Sequence, residues 1–371
     1  MEAPRSASRF LPRKAFDTLL SALRDGGYDC AAPVVRDGAV VYTRLQAHDL
    51  LPSGISIQQA PGHYRVEFTD SPRNFSWANG PQALKPFVFT ASEPLWSVRR
   101  DPDGELRFTE ADTSQDPVAI IGVRSCDLAA LALQDRHFLG GDCVDPHYQA
   151  RRASLFLVAV NCSHPSDTCF CVSTGDGPTA SDGYDLLLDE LDDGFVIQAG
   201  SSAGQNLLER LPLASPTGKQ LQDITRQNLH AAECQARRLP PGNLEPALFA
   251  NLDHPHWQTV AERCLSCGNC TSVCPTCFCY RELDRGSLDP DRSEHVREWD
   301  SCFTQGHSYI HGVTIRAGTD LRYRQWLTHK LGSWHSQYGR SGCVGCGRCI
   351  SWCPVGIDLT EEVAMIVGGA S

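Results

Sequence analysis

The sequence predicts an α/β (α+β) chain, with an N-terminal part built round a parallel-sheet βαβ unit and a C-terminal helical part organised by cysteine. Three observations predict it. Pro117-Val-Ala-Ile-Ile-Gly-Val is a continuous apolar run, as expected of a strand covered on both faces. A helical stretch, Leu128-Ala-Ala-Leu-Ala-Leu-Gln, leads from it to a second such run, Leu155-Phe-Leu-Val-Ala-Val. Beyond residue 250, two groups of cysteines repeat one spacing.

The elements follow in order. Residues 1–115 read as a mixed α/β lobe broken by Pro and Gly, in which Val40-Val-Tyr-Thr and the alternating Tyr64-Arg-Val-Glu-Phe are strand candidates. Residues 116–217 hold the βαβ unit. A polar turn, Arg124-Ser-Cys-Asp, sets Cys126 just past the carboxyl end of the first strand, and Asn161-Cys162 ends the second. Open α/β sheets place their ligands at such ends. Residues 218–249 read as a helical bridge, with Leu221, Ile224, Leu229 and Ala232 on one face and a break at Leu239-Pro-Pro-Gly-Asn. Residues 250–371 form the cysteine-organised domain, with an insert at 276–342.

The 371 residues suffice for two or three domains at roughly 100–200 residues each. A net charge of −11 argues against nucleic acid, whose phosphates require clustered Lys and Arg. The start, Met1-Glu-Ala-Pro-Arg-Ser, lacks the apolar segment of a signal peptide, and no apolar run approaches a membrane span. The tail Val363-Ala-Met-Ile-Val-Gly-Gly is far too short for one. The reading is therefore cytoplasmic. In a reducing compartment, 18 cysteines at fixed spacing point to metal or redox chemistry rather than disulfides.

The first motif is Cys264-x-x-Cys267-x-x-Cys270-x-x-x-Cys274-Pro275, and the second is Cys343-x-x-Cys346-x-x-Cys349-x-x-x-Cys353-Pro354. Each matches the bacterial ferredoxin run, in which three thiolates wrap one corner of a [4Fe–4S] cluster and the fourth reaches the other cluster. The ligand sets are expected to cross. Cys264, Cys267, Cys270 and Cys353 take one cluster, and Cys343, Cys346, Cys349 and Cys274 take the other. Gly268, Gly345 and Gly347 let backbone come close to sulfur and present N–H donors to it. The competing reading is a pair of zinc ribbons, but two full quartets each closed by Pro favour a ferredoxin-like 2[4Fe–4S] domain.

A second constellation is less regular. It comprises Cys126, Cys162, Cys169 and Cys171, with Cys143 as a spare. Four thiols at the ends of two adjacent strands suit a third cluster, a structural zinc or unliganded packing, and spacing alone leaves these open. Cys277, Cys279 and Cys302 read as packing beside a cluster, and Cys30 and Cys234 as buried packing. The basic run Arg322, Arg324, His329 and Lys330 reads as a solvated face that also offsets cluster charge. There is no Gly-rich phosphate loop, no C-x-x-C-H haem motif and no Ser/His/Asp set, so the chain reads as a wire with no catalytic residues of its own.

Gly122-Val-Arg-Ser-Cys-Asp-Leu, the Cys162/Cys169/Cys171 segment, Cys274-Pro-Thr-Cys-Phe-Cys, Trp299-Asp-Ser-Cys, Arg322-x-Arg324 with His329-Lys330, and Cys343-Val-Gly-Cys-Gly-Arg-Cys carry a resemblance. The chain resembles the iron–sulfur beta subunits of cytoplasmic NAD(P)-linked [NiFe] hydrogenases of the sulfhydrogenase type, and the A subunit of anaerobic sulfite reductase in the same dicluster family. The likeness spans residues 117–360 and is loose before them, around Pro81-Gln-Ala-Leu-Lys-Pro-Phe. It implies three [4Fe–4S] clusters, the third on Cys126, Cys162, Cys169 and Cys171. It also implies a place between a flavin-bearing NAD(P)H subunit and a catalytic module. That module is either the hydrogenase small and large subunits or a sirohaem subunit.

Overall fold

The computed structural model describes residues 7–46, 49 and 51–368. Residues 1–6 and 369, read above for targeting, lie outside the described residues. In chain order the strands are β1 (Arg9–Pro12), β2 (Asp29–Arg36), β3 (Ala39–Arg44), β4 (Ile55–Ala60), β5 (His63–Phe68), β6 (Ser92–Arg100), β7 (Leu106–Glu110), β8 (Val118–Val123), β9 (Leu155–Val160), β10 (Leu186–Glu190), β11 (Gly194–Ala199), β12 (Tyr280–Gly286) and β13 (Arg292–Trp299).

Seven of them make the main sheet, in the order β1-β11-β10-β9-β8-β2-β3. Its middle is parallel, β10 on β9, β9 on β8 and β8 on β2, and its edges are antiparallel. The middle strands are apolar on both faces because both are covered. All six residues of β8 are buried. One face packs on the helix Phe16–Asp25 through Phe16, Leu19 and Leu23. The other packs on the helix Ser125–Phe138 and on Tyr148. This sheet crosses the boundary expected at residue 115, since Asp29, Cys30 and Ala31 pair with Val118, Ala119 and Ile120. The chain's first strands therefore complete the sheet that carries Cys126 and Cys162.

A second, antiparallel sheet runs β12-β13-β6-β7. Its outer pairs come from distant parts of the chain, so the insert is stitched onto the N-terminal half. Arg297 fixes the seam. Its guanidinium reaches Glu93 Oε1 at 2.6 Å and also meets Asp145, the residue that caps the helix Pro146–Ala153.

The bridge begins as expected. The helix Gly218–Glu233 starts at a capping box, with Thr217 and Gln220 satisfying each other's backbone N–H groups. Its buried stripe differs from the expected face, because Ile224 and Ala231 are inward while Leu221 and Leu229 are exposed. The C-terminal part surrounds its cysteines with an apolar shell of Phe170, Leu248, Trp257, Phe303, Tyr323, Trp326, Leu327, Ile350 and Val363. Among the described residues no helix is long and apolar enough to cross a membrane.

Candidate metal centre

Each cysteine run folds as a loop followed by one short helix, Asn269–Ser272 in the first and Arg348–Ser351 in the second. The loops are alike in backbone. Ser266 and Gly345, two residues after the leading cysteines, both take left-handed φ values, 50° and 63°. In that conformation each backbone N–H turns back to its own cysteine, Ser266 N to Cys264 Sγ at 3.4 Å and Gly345 N to Cys343 Sγ at 3.4 Å. Cys353 Sγ accepts from Ile357 N at 3.3 Å. Donors aimed at sulfur favour the thiolate that a metal requires.

The two runs cross. Cys264, Cys267 and Cys270 line one cavity together with Cys353 from the second run. Cys343, Cys346 and Cys349 line another together with Cys274 from the first. Cys349, Trp326 and Leu359 form part of the wall of both, so the two cavities are neighbours. Among the described residues no three His, Cys, Asp or Glu side chains are gathered as a single metal ion requires; the sulfurs ring cavities instead.

Burial pushes several of these thiols up. Desolvation raises Cys270 and Cys349 well above the usual thiol range and carries Cys343 to about 12. Cys274 is drawn well down by a hydrogen bond from Cys277 and by the Lys330 ammonium. The raised thiols, Cys270, Cys343 and Cys349, keep their protons until a cation displaces them, and iron is such a cation. The donors, the apolar wall and the two sulfur-lined cavities, with Cys349 common to both, fit a pair of cubane clusters.

The third constellation lies against the second cavity. Cys126 occupies the first turn of the helix Ser125–Phe138, just after β8, and Cys162 follows β9. Cys169 and Cys171 flank the fully buried Phe170. All four are buried and within electrostatic reach of one another as a chain, Cys126 through Cys171 to Cys169 and Cys162. Close approach to the second run depends on two glycines. A Cβ on Gly345 would lie 2.5 Å from the Cys171 backbone, and one on Gly347 2.3 Å from the Thr168 carbonyl oxygen. Backbone therefore meets backbone, and Phe170 N donates to Gly345 O at 2.8 Å.

Several residues that hold this site carry no sequence signal of their own. Asn79 donates to the Cys346 carbonyl at 2.8 Å and approaches Cys169 Sγ at 4.0 Å. Gln235, buried at the end of the bridge, donates to Cys171 Sγ at 3.2 Å. Arg124, 2% exposed, donates to the carbonyls of Phe75 and Trp77 at 2.8 and 2.6 Å and fixes the turn before Cys126. Arg348 and Lys330 are buried cations visible inside their motifs. Lys85, buried over the Trp299 ring at 4.0 Å, comes from the weakly matching N-terminal half.

Other cysteines and the basic run divide. Cys30 is buried in the core, whereas Cys234 is exposed and sits 3.3 Å from His230 Nε2, and Cys143 is exposed. The expectation of buried packing fails for Cys234 because it caps the outer end of a helix whose inward stripe lies elsewhere. Arg322 donates to the carbonyls of Phe303, Arg316 and Ala317, and Arg324 to that of Leu252. Only Lys330 of that run turns inward to the thiols. The run bends at a π-helical turn, His329–Ser333, which carries Lys330 into the core.

Comparison with known proteins agrees with this chemistry. Residues 263–357 match the family model described as a 4Fe-4S dicluster domain. The chain is 33% identical over 277 residues to sulfhydrogenase 2 subunit beta of Pyrococcus furiosus, covering 74% of this chain and 79% of that protein. No solved structure matches it.

Proposed function

The chain belongs to the family of sulfhydrogenase beta subunits, and from that premise we propose that it is the electron relay of a hydrogenase-type complex. Its iron–sulfur clusters carry single electrons between a flavin-bearing NAD(P)H subunit and a [NiFe] catalytic module. The observation that carries this reading is the crossing of the two cysteine runs into adjacent cavities with one shared wall at Cys349. Cys264, Cys267, Cys270 and Cys353 hold the first [4Fe–4S] cluster, and Cys274, Cys343, Cys346 and Cys349 the second. Cys126, Cys162, Cys169 and Cys171 hold a third.

The residues order these sites in a line. The second set is central, bounded by the first through Cys349 and by the third through Cys346, whose carbonyl lies 3.9 Å from Cys169 Sγ. Trp326, Phe170 and Leu359 exclude water from the interior, which keeps charge on the sulfurs and off solvent. The first set faces outward, since Cys267 and Leu265 are exposed at its rim. That makes it the end suited to a partner subunit. The relative's name favours a hydrogenase-type complex over the sirohaem-linked sulfite reductase reading.

The test is anaerobic purification of the native complex, with iron, nickel, flavin and sulfide quantified and dithionite-reduced paramagnetic spectra recorded. Iron with sulfide in cluster amounts on this chain, together with nickel and flavin on its partners, is the expected result. A colourless chain with no reduced signal overturns the relay. Sirohaem in place of nickel overturns the choice of complex.

A further inference from the structure

We propose that Cys277, Cys279 and Cys302 hold a further iron–sulfur cluster, ligated by three protein thiolates, on the flank of the two crossed sites. The first ground is a repeat in the sequence. Thr276-Cys-Phe-Cys279 reproduces Thr168-Cys-Phe-Cys171. The copies share surroundings as well as letters. Both threonines are fully buried, and each hydroxyl is anchored, Thr168 Oγ1 to Ser351 Oγ at 2.8 Å and Thr276 Oγ1 to the Gly342 carbonyl at 2.7 Å. Phe170 and Phe278 both turn into apolar clusters beside their flanking sulfurs. If the first copy presents two ligands, the second is built to do the same.

The second ground is convergence. Pairing of Tyr280 with Trp299 at the base of the β12–β13 hairpin draws Cys279 opposite Asp300, whose N–H donates to the Cys279 carbonyl at 2.9 Å. Cys302 follows two residues on, and its own backbone N–H points at the Cys279 sulfur. The Cys277 thiol stands beside the Lys330 ammonium. Cys302 neighbours Cys270 of the first site, and Cys277 touches Cys274 of the second. The three thiols therefore sit beside both crossed quartets while belonging to neither cavity.

The third ground is charge. Lys330 and Lys85 are 4% and 6% exposed, and among the described residues neither has a carboxylate within ion-pair distance. Lys330 Nζ rests 2.7 Å from Thr276 Oγ1, and Lys85 Nζ 3.4 Å from the Thr271 carbonyl. A buried ammonium is costly unless an anion answers it. Lys330 faces the sulfurs of Cys274, Cys277 and Cys343, and Lys85 those of Cys277, Cys274 and Cys279. The central cubane uses Cys274 and Cys343 of these, which leaves Cys277 and Cys279 beside Lys85. An anionic cluster on the other thiolates completes the pairing of two cations.

Native mass spectrometry of the full chain from anaerobically prepared complex tests this. Four cluster increments are expected, with one increment of about three to four iron atoms lost in both Cys279→Ala and Cys302→Ala. The reduced spectra of the crossed pair should persist in these variants. Three increments in the unaltered chain, or a zinc ion in place of the fourth, overturn the proposal without touching the relay. Should a variant fail to fold, the mass of the unaltered chain decides alone. Cys162→Ala serves as the contrast, because it must remove a different increment.

Discussion

Arg348 and Asp127 face each other as a buried two-point ion pair, Nη1 to Oδ1 at 2.7 Å and Nη2 to Oδ2 at 3.0 Å, each side chain 1% exposed. Arg348 stands between Cys346 and Cys349, and Asp127 follows Cys126. The pair therefore clamps the loop of the central site to the first helical turn of the third. Arg348 Nε also donates to the Gly80 carbonyl at 2.8 Å, so three distant segments share one guanidinium.

Removing one partner strands the other charge in the interior. Arg348→Met is expected to destabilise the chain by about 3–5 kcal/mol, and Arg348→Met with Asp127→Leu by distinctly less, because the double variant buries no lone charge. Anaerobic thermal unfolding of both variants checks this. Equal losses in the two would show that the pair contributes only packing.

Lys330 is expected to hold up the potential of the central cluster. It is buried beside Cys274, Cys277 and Cys343, and a fixed positive charge favours the more negative, reduced state. Lys330→Met should lower the midpoint of one spectroscopic signal by on the order of 60 mV, a tenfold change in a one-electron equilibrium. The outward-facing first site, whose sulfurs Lys330 does not adjoin, should move much less. A potentiometric titration followed by paramagnetic resonance separates the two signals.

His329 gives the chain an acid-side weakness. Burial, with Lys330 and His137 nearby, lowers its pKa to about 4, and its Nε2 accepts from Trp334 Nε1 at 3.1 Å, as only the neutral ring allows. An unfolded His binds its proton near 6.5, so between that pH and about 4 the unfolded state carries more protons. Stability must then rise with pH across this window and fall on acidification by up to about 3 kcal/mol. His329→Gln keeps an acceptor for Trp334 but cannot titrate, and should flatten the unfolding midpoint between pH 4 and 6.5 by that amount.

How much of this was legible follows from distance along the chain. The two quartets could be read because three sulfurs of each cavity lie within seven residues, and the spacing of each run is repeated in the other. Cys126 and Cys162 could be read because apolar runs betray covered strands, and a strand's end is a place. The lysine opposite Cys274, Cys277 and Cys279 could not, since Lys85 reaches Trp299 and Thr271 only through a seam that pairs β6 with β13. Gln235 and Asn79 are single polar residues whose neighbours are set by the assembled fold. The bridge helix misled in its facing because Leu221 and Leu229 cover no core, while Ile224 alone meets Leu191 and Val196.

The crossing of the quartets makes the sharpest prediction, because it groups residues that the sequence separates. Cys264 and Cys353 are 89 positions apart and line one cavity, whereas Cys270 and Cys274 are four apart and line different ones. If ligation follows the cavities, Cys264→Ala and Cys353→Ala abolish the same reduced signal, and the double variant loses nothing further in that signal. Cys274→Ala joins Cys343→Ala in abolishing the other. Uncrossed ligation, with each run holding its own cluster, would pair Cys353 with Cys343 instead. Because a lost ligand also loosens the neighbouring loop, serine at each position provides a milder change: a weak oxygen ligand shifts a signal without erasing it. The grouping of those shifts, read from the spectra of four single variants, decides between the two schemes independently of how much protein each variant yields.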